Sequence, residues 1–193
     1  NLTGGNAILA AADHIVVSDA ATLAQATTID GLSGVDTVVY SLSDTGANLT
    51  AGGILNGAVD VTATGVVTEA QAEVIADATN TGSNAYSIST VDTAVDANPT
   101  VGNNVNAYEG AGDISVTGTA GIDGTQAAGI LAAANTGSTT IALVKDAAAT
   151  VAGLTLGAND TITAVEITGN GNLTVVQAEA IIDYGAAISG TYN

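Results

Sequence analysis

Four glutamines mark an internal repeat, and this repeat limits the possible folds of the chain more than any other sequence feature. Gln25, Gln71, Gln126 and Gln177 lie 46, 55 and 51 residues apart. An aliphatic residue precedes each glutamine by ten positions, an isoleucine follows it by four, and a tyrosine or isoleucine follows it by fifteen. These positions are Ile15, Val61, Val116 and Ile167; Ile29, Ile75, Ile130 and Ile181; and Tyr40, Tyr86, Ile141 and Tyr192. The agreement of all four copies predicts a fold made of four related units.

Each unit contains two predicted strands and one predicted helix. The strings that precede the glutamines alternate apolar and polar residues, as half-buried strands do: Val59–Thr62, Ile114–Thr117 and Val165–Thr168. Thr68 and Glu69 suit the first turn of a short helix, and the Asn and Gly of Asn80–Ser83 favour its end. A second strand then begins at Tyr40, Tyr86 or Ile141. The order within a unit is therefore strand, helix, strand, and then a turn or short helix.

These units predict an α/β repeat protein, a solenoid-like stack of strand, short helix, strand and turn with parallel strands. A compact two-layer domain of the same units is the alternative. Residues 1–193 are predicted to form a single repeat array with units at approximately 13–58, 59–112, 113–163 and 164–193, the last of them incomplete. The longest interval contains Asn98–Asn106, an Asn-rich string with the single proline, which predicts a long loop.

The composition limits which residues can form the core and which partners the chain can bind. The chain has no Phe, Trp, Met or Cys, so Ala, Val, Ile and Leu must fill the core, which favours thin repeated layers. Nineteen carboxylates face one Lys and no Arg, giving a net charge of −18. Nucleic acid is excluded as a partner because it would be repelled. The apolar runs are too short for membrane insertion, and the absence of Cys suits a bacterial secreted protein.

The sequence does not supply the usual groups of an active site. His14 is the only histidine and Cys is absent, so neither a histidine metal triad nor a Ser-His-Asp relay is available. Lys145 is the only amine side chain and is expected to pair with the adjacent Asp146. Glu69 and Glu73 could form a carboxylate pair for glycoside hydrolysis, but the chain lacks the Trp and Arg that such sites normally add. We therefore expect a protein that is not an enzyme.

Two stretches carry a resemblance to a known group: Tyr40–Leu49, and Val61–Gly65 followed by Thr68–Ala72. They resemble the tandem repeats of very large secreted bacterial surface proteins, the group of surface-layer proteins and hemolysin-type, RTX-like adhesins exported by type I secretion. The resemblance covers most of the chain, although its motifs consist of common residues such as Ala, Thr, Gly and Asp. It implies an extracellular location at the bacterial cell surface and a structural or adhesive role. It transfers no catalytic residue.

The same resemblance implies calcium as a cofactor. Gly31–Asp36 is similar to one turn of the calcium-binding, Gly-rich nonapeptide repeat of that protein group, and weaker copies precede two further aspartates. The implied ligands are Asp36, Asp113 and Asp160, whose carboxylates are the hard oxygen donors that calcium prefers. A calcium ladder needs consecutive turns, whereas these copies are isolated. The alternative is that they are ordinary turn residues before a strand.

The ends of the array predict how copies of the chain interact. Asn1–Ala12 lacks a polar cap, and the last copy stops at Tyr192–Asn193, where its next strand would begin. An unpaired strand edge is a template for pairing with another chain. We therefore expect a self-assembling surface-layer or filament component whose partner is another copy of itself, arranged head to tail or in a lattice.

Two other functions remain open at the level of sequence. The chain could be an adhesin stalk or a ligand-binding module that recognises a glycan or another cell-surface partner, with Asn98–Glu109 as its binding loop and Tyr108 as the contact residue. Thr62–Thr64 and Thr117–Thr119 would suit ice binding, but the other copies do not extend these rows. Solvent-facing threonines of ordinary strands explain the rows more simply.

Overall fold

The structure, a computed structural model, describes residues 14–32, 37–96, 105–169 and 173–190. The strands in these ranges are β1 (His14–Val16), β2 (Thr37–Val39), β3 (Leu42–Asp44), β4 (Val61–Val67), β5 (Asn84–Val91), β6 (Ile114–Thr117), β7 (Thr139–Asp146), β8 (Asp160–Ile167) and β9 (Ala187–Gly190). The helices are α1 (Leu23–Asp30), α2 (Gly46–Ala51), α3 (Glu69–Ala76), α4 (Val105–Glu109), α5 (Gly124–Leu131), α6 (Ala148–Ala152) and α7 (Val175–Asp183). Short 3₁₀ turns lie at Leu55–Gly57 and Asp92–Ala94.

The fold is α/β, with a seven-stranded parallel sheet flanked by helices. Strands β3 to β9 lie side by side in chain order, and each pairs in parallel with the next. Strands β1 and β2 form a separate parallel pair, which hydrogen bonds between Ala21 and the β3 region join to the large sheet. Neighbouring helices such as α2 and α3, or α6 and α7, contact each other, so they pack beside one another along the sheet.

The four marker glutamines occupy the same position in four helix capping boxes. Each is the third residue of a helix, and its side chain accepts a hydrogen bond from the backbone N–H of the N-cap residue. In return, the side chain of the N-cap residue accepts a hydrogen bond from the backbone N–H of the glutamine. The Gln71 Oε1 to Thr68 N distance, for example, is 3.0 Å. The four N-cap residues are Thr22, Thr68, Asp123 and Thr174. Each helix therefore begins at a fixed distance before its glutamine.

The core is aliphatic, as predicted, with tyrosines between its layers. The isoleucines four positions after the glutamines are at most 2% exposed, and all four aliphatic residues ten positions before them are buried. The hydroxyl of Tyr86 donates to the Ala107 carbonyl oxygen at 2.8 Å, and that of Tyr184 donates to the Leu154 carbonyl oxygen at 2.9 Å. These bonds link successive layers and satisfy the polar end of each ring.

Most predicted elements are present, with differences at their boundaries. The predicted strand Ile114–Thr117 has the bounds of β6, and the helix after Thr68 is α3. The predicted strand at Tyr40 is wrong at its first two residues, since Tyr40 and Ser41 separate β2 from β3. The Tyr40 carbonyl oxygen accepts a hydrogen bond from the Val59 N–H, and the Ser41 carbonyl oxygen accepts one from the Ala21 N–H. The two residues therefore bond to different neighbouring segments. Positions 98–104 of the predicted loop lie outside the described residues, and its last two positions, Val105 and Asn106, begin helix α4 instead.

Candidate functional site

Within the part of the chain that the structure describes, the surface at the β9 edge of the sheet is uncovered. Strand β9 pairs with β8 along one side, and no described strand pairs with its other side. On the adjoining helix α7, Val175, Val176 and Ile182 are 73%, 74% and 61% exposed. An apolar helix face beside an unpaired strand is the type of surface that proteins normally cover. We refer to α7 and β9 together as the terminal face.

The corresponding surfaces of earlier units are covered. The first residues of α3 and α5, Glu69 and Gly124, are buried, whereas Val175 at the same position of α7 is exposed. The Gly124 N–H donates to Asp146 Oδ2 at 2.9 Å, and the Leu23 N–H of α1 donates to Asp44 Oδ2 at 3.0 Å. Asp146 ends β7, which follows α5, and Asp44 ends β3, the second strand after α1, so each covering group comes from a later strand of the chain.

A negative charge on Asp44 favours its contact with the N-terminal end of α1. A hydrogen bond from the Asn48 side chain, with further bonds from the backbone N–H groups of Thr45 and Leu23, holds the pKa of the Asp44 carboxyl below its ordinary value. The group is therefore ionised at neutral pH, where a negative charge near a helix N-terminus is favourable. Sequence inspection missed this contact because Asp44 and Leu23 are 21 residues apart.

A second set of carboxylates fastens the turns between helices and strands. Asp60 Oδ1 accepts hydrogen bonds from the N–H and Oγ of Ser83 at 2.8 and 3.0 Å. Asp113 Oδ1 accepts the equivalent pair from Ser138, both at 2.8 Å. The backbone N–H of each serine, and then its hydroxyl, lowers the pKa of its aspartate. Asp113, a predicted calcium ligand, thus has a structural role as the acceptor in a turn.

The predicted calcium ligands are not assembled into one site. Asp36 lies outside the described residues. Asp113 directly precedes β6 and Asp160 begins β8, so β7 lies between them and their backbones are roughly 10 Å apart at the usual strand spacing. Asp160 Oδ2 accepts a hydrogen bond from the Gly157 N–H at 2.7 Å. In the described ranges, no three His, Cys, Asp or Glu side chains come close enough to hold a metal ion. Calcium binding at these aspartates remains a prediction.

A groove of about 610 Å³ opens on the sheet at β4, β5 and β6. The register of β4 against β5 shifts between Thr62 and Val66, where Gly65 has a φ of +87°, so the ladder is irregular there. Most of the polar side chains around the groove are hydroxyls and amides, with one carboxylate: Thr62, Asn84, Ser87, Asp113, Ser115 and Thr136. The volume lies within the range of small-ligand sites.

Of three residues singled out in the sequence, Tyr108 and Lys145 have environments different from those expected, and His14 does not. Tyr108, the expected ligand contact, is 1% exposed, and burial raises its pKa, so it cannot serve as a surface contact. Lys145 pairs with Glu166 on the neighbouring strand at 2.8 Å, rather than with Asp146, whose carboxylate caps α5. His14 begins β1, as expected for a strand-start residue.

The exposed valines of α7 were missed because apolar residues in a helix ordinarily indicate core. A comparison of the four copies contains a signal, since the first two helical positions are Leu-Ala, Glu-Ala and Gly-Thr in the earlier copies but Val175-Val176 in the last.

Comparisons of the chain with protein-family models, with curated proteins and with solved structures gave no match. Among the described helices, none has the length and apolar character needed to cross a membrane.

Proposed function

We propose that the chain is a non-enzymatic structural protein of the bacterial cell surface, secreted and self-assembling, which builds a surface layer or filament through the ends of its sheet. One observation carries the proposal: the terminal face exposes Val175, Val176 and Ile182 beside a strand whose outer side has no partner among the described strands, whereas the N-terminal ends of α3 and α5 are buried. Burying this face against another copy would remove apolar surface from water and pair the free N–H and C=O groups of β9.

The strand order supports a solenoid-like stack as the finer description of the fold. Because the strands lie in chain order and are all parallel, each unit adds to one edge of the sheet without rearranging the others. Joining the last strand of one copy to the first strand of another continues the same pattern. Such a head-to-tail contact generates a filament when the rotation from one copy to the next does not close a ring.

Mutation of the terminal face tests the proposal. Val176→Glu places a carboxylate on the exposed face of α7, and Val66→Glu is its matched control, since Val66 is 65% exposed but lies on β4. We expect wild type and Val66→Glu to form ordered assemblies by negative-stain electron microscopy. Val176→Glu should raise the critical concentration in light scattering at least about tenfold, which corresponds to about 1.4 kcal/mol per contact. Monomeric wild type at all concentrations and salt conditions would contradict the proposal.

The groove favours a second candidate function, an adhesin stalk or ligand-binding module with a neutral glycan as its ligand. Its hydroxyl and amide lining can hydrogen-bond sugar hydroxyls, and the net charge of −18 disfavours anionic ligands. Ser115→Trp would fill the groove. Thr163→Trp is the control, because Thr163 is exposed on β8 and does not line the groove. Loss of glycan-array binding in the first variant alone would support this function. Equal signals from both variants, or no binding by wild type, would eliminate the groove as the site.

A further inference from the structure

The seven-stranded sheet has one face packed against the helices and one face open to solvent. Along β5, β6 and the start of β7, buried residues alternate with residues that are partly or fully exposed. The buried set belongs to the same core cluster as the buried residues of the helices, so the helices cover that face. The side chains of the exposed set therefore lie on the opposite face, which we call the open face.

Four hydroxyl side chains form a row across the open face, one on each of four neighbouring strands. In order across the sheet they are the register partners Ser89 of β5, Ser115 of β6, Thr140 of β7 and Thr161 of β8. Register partners on adjacent strands point to the same face and lie about 4.8 Å apart. The row, which we call the hydroxyl row, therefore spans three strand spacings, roughly 14 Å.

The side chains of the hydroxyl row point away from the core. Ser115 lies between Ile114 and Val116, which are both 1% exposed, whereas Ser115 itself is only partly buried. Thr140 and Thr161 are exposed. Within the described part of the chain, no hydrogen bond to another protein group engages the hydroxyls of the row. They can therefore bond to water or to a ligand.

The hydroxyl row meets the groove on β4, β5 and β6 at Ser115, which belongs to both. Thr140 and Thr161 lie outside the groove and extend the row towards β8. Beside the row, Val91 is 51% exposed and is the register partner of Thr117. Hydroxyl groups and aliphatic carbon thus lie side by side on the open face, as hydroxyl groups and C–H groups do on a sugar ring.

The strands of the hydroxyl row are poor in charge, although the chain as a whole is strongly acidic. Strands β5 and β6 contain no charged residue, and those of β7 and β8 lie at or next to the strand ends. Two of these residues, Lys145 and Glu166, pair across the strands at 2.8 Å, so their charges compensate each other. Most of the carboxylates that give the net charge of −18 therefore lie elsewhere, and the hydroxyl row suits an uncharged partner.

We infer that the open face binds an extended, uncharged polysaccharide, whose chain occupies the groove and continues across the strands along the hydroxyl row. This inference rests on the ligand-binding function proposed for the groove and adds the class of ligand, a chain rather than a single sugar. One hydrogen bond between neutral groups adds little net affinity, so several must form along the same chain. Because the row crosses successive strands in register, it matches an extended chain better than a coiled one.

The dependence of affinity on ligand length tests this inference. The probes are extended, β-linked oligosaccharides of glucose, N-acetylglucosamine, mannose and xylose, from disaccharide to hexasaccharide, with the coiled malto-oligosaccharides for comparison. Each is titrated into the whole chain by isothermal titration calorimetry. For at least one extended series we expect the hexasaccharide to bind at least about tenfold more tightly than the disaccharide, because it reaches the hydroxyls beyond the groove. The malto series should gain less from added length.

Removing hydroxyls outside the groove tests the row itself. The double variant Thr140→Val and Thr161→Val keeps the shape and the β-propensity of both side chains. It should bind the hexasaccharide at least about fivefold more weakly and the disaccharide as wild type does. Thr125→Val is the matched control, because Thr125 is an exposed threonine on α5. Circular-dichroism melts check that both variants fold like wild type.

The outcomes separate this inference from the function on which it rests. Disaccharide binding whose affinity does not rise with length, or equal affinities of the double variant and Thr125→Val for the hexasaccharide, would overturn the inference and leave the groove as the site of a single sugar. Wild type that binds none of the oligosaccharides would overturn both. Thermal hysteresis in wild type that the double variant loses, without oligosaccharide binding, would also overturn both and assign the open face to ice.

Discussion

The side chain of Gln126 donates hydrogen bonds that a glutamate at this position could not donate. Its Oε1 accepts from the Asp123 N–H, as in every capping box of the chain, but its Nε2 also donates to the carbonyl oxygens of Val95 and Asp96 at 3.1 and 3.0 Å. Gln126→Glu would keep the cap and turn both donated bonds into repulsive contacts between oxygens. We expect a loss of about 1–3 kcal/mol in the free energy of unfolding, measured by urea denaturation.

Gln177→Glu is the matched control, because glutamate at this position of the capping box is as favourable as glutamine and gains from the helix dipole. Its free energy of unfolding should stay within about 0.5 kcal/mol of wild type. Equal losses in the two variants would mean that the Nε2 bonds of Gln126 contribute nothing.

The turn carboxylates predict a loss of stability in acid. The pKa of Asp113 lies below its ordinary value of 3.8, mainly because it accepts from the Ser138 N–H and then from its hydroxyl. A group with a lowered folded-state pKa stabilises the protein above its unfolded pKa and loses that contribution as the pH falls through the folded value. We expect Asp113→Asn to reduce the fall in melting temperature below about pH 4.

Ser138→Ala, which keeps the backbone donor, should reduce this acid dependence to a smaller extent. The interpretation would be wrong if the melting temperatures of wild type and Asp113→Asn fell in parallel between pH 5 and pH 2.5, the range for which the pKa shift predicts a difference.

At the scale of elements, the loop after β6 depends on a glycine held against a carboxylate. Gly118 has a φ of +126°, and a Cβ there would collide with the Asp92 carboxylate, which accepts from the Gly121 N–H at 2.8 Å. Gly118→Ala should cost about 3 kcal/mol or more, from backbone strain and the loss of a charged hydrogen bond.

Gly65→Ala on β4 isolates the strain, because its φ is +87° but nothing lies within 4 Å of a Cβ there. It should cost only about 1–2 kcal/mol. Thermal unfolding of both variants checks the difference, and similar costs would remove the role assigned to Asp92.

The local sequence pattern was sufficient to predict single strands and helices, but it was insufficient to predict how the strands pair. Ile114–Thr117 alternates over the full length of β6, and the cap at Thr68 defines the start of α3. The shift in β4 near Gly65 was not predictable, since strand register depends on a neighbour more than 20 residues away. The terminal face was missed for a related reason: Val175 looks like a core residue, and only its tertiary surroundings distinguish a covered helix from an uncovered one.

At the scale of the whole molecule, charge and packing act in opposite directions. The net charge of −18 opposes contact between copies, whereas the terminal face offers apolar surface and a strand with no outer partner among those the structure describes. Repulsion between distant charges is screened within about 10 Å at 0.1 M salt, but burial of apolar surface is not. The critical concentration for assembly should therefore fall as the NaCl concentration rises from about 0.02 to 0.5 M.

Cations at matched ionic strength separate screening from binding. Light scattering in CaCl₂ and in MgCl₂ is compared with NaCl of equal ionic strength, which holds the screening length constant. If Asp36, Asp113 and Asp160 bind calcium, calcium should lower the critical concentration further than magnesium, because carboxylate sites without octahedral geometry favour the larger ion. The double variant Asp113→Asn and Asp160→Asn should lose that difference while keeping the NaCl effect. Equal responses to the two divalent ions would reject calcium as a cofactor and leave charge screening as the explanation, whereas assembly that ignores salt altogether would show that repulsion does not limit it.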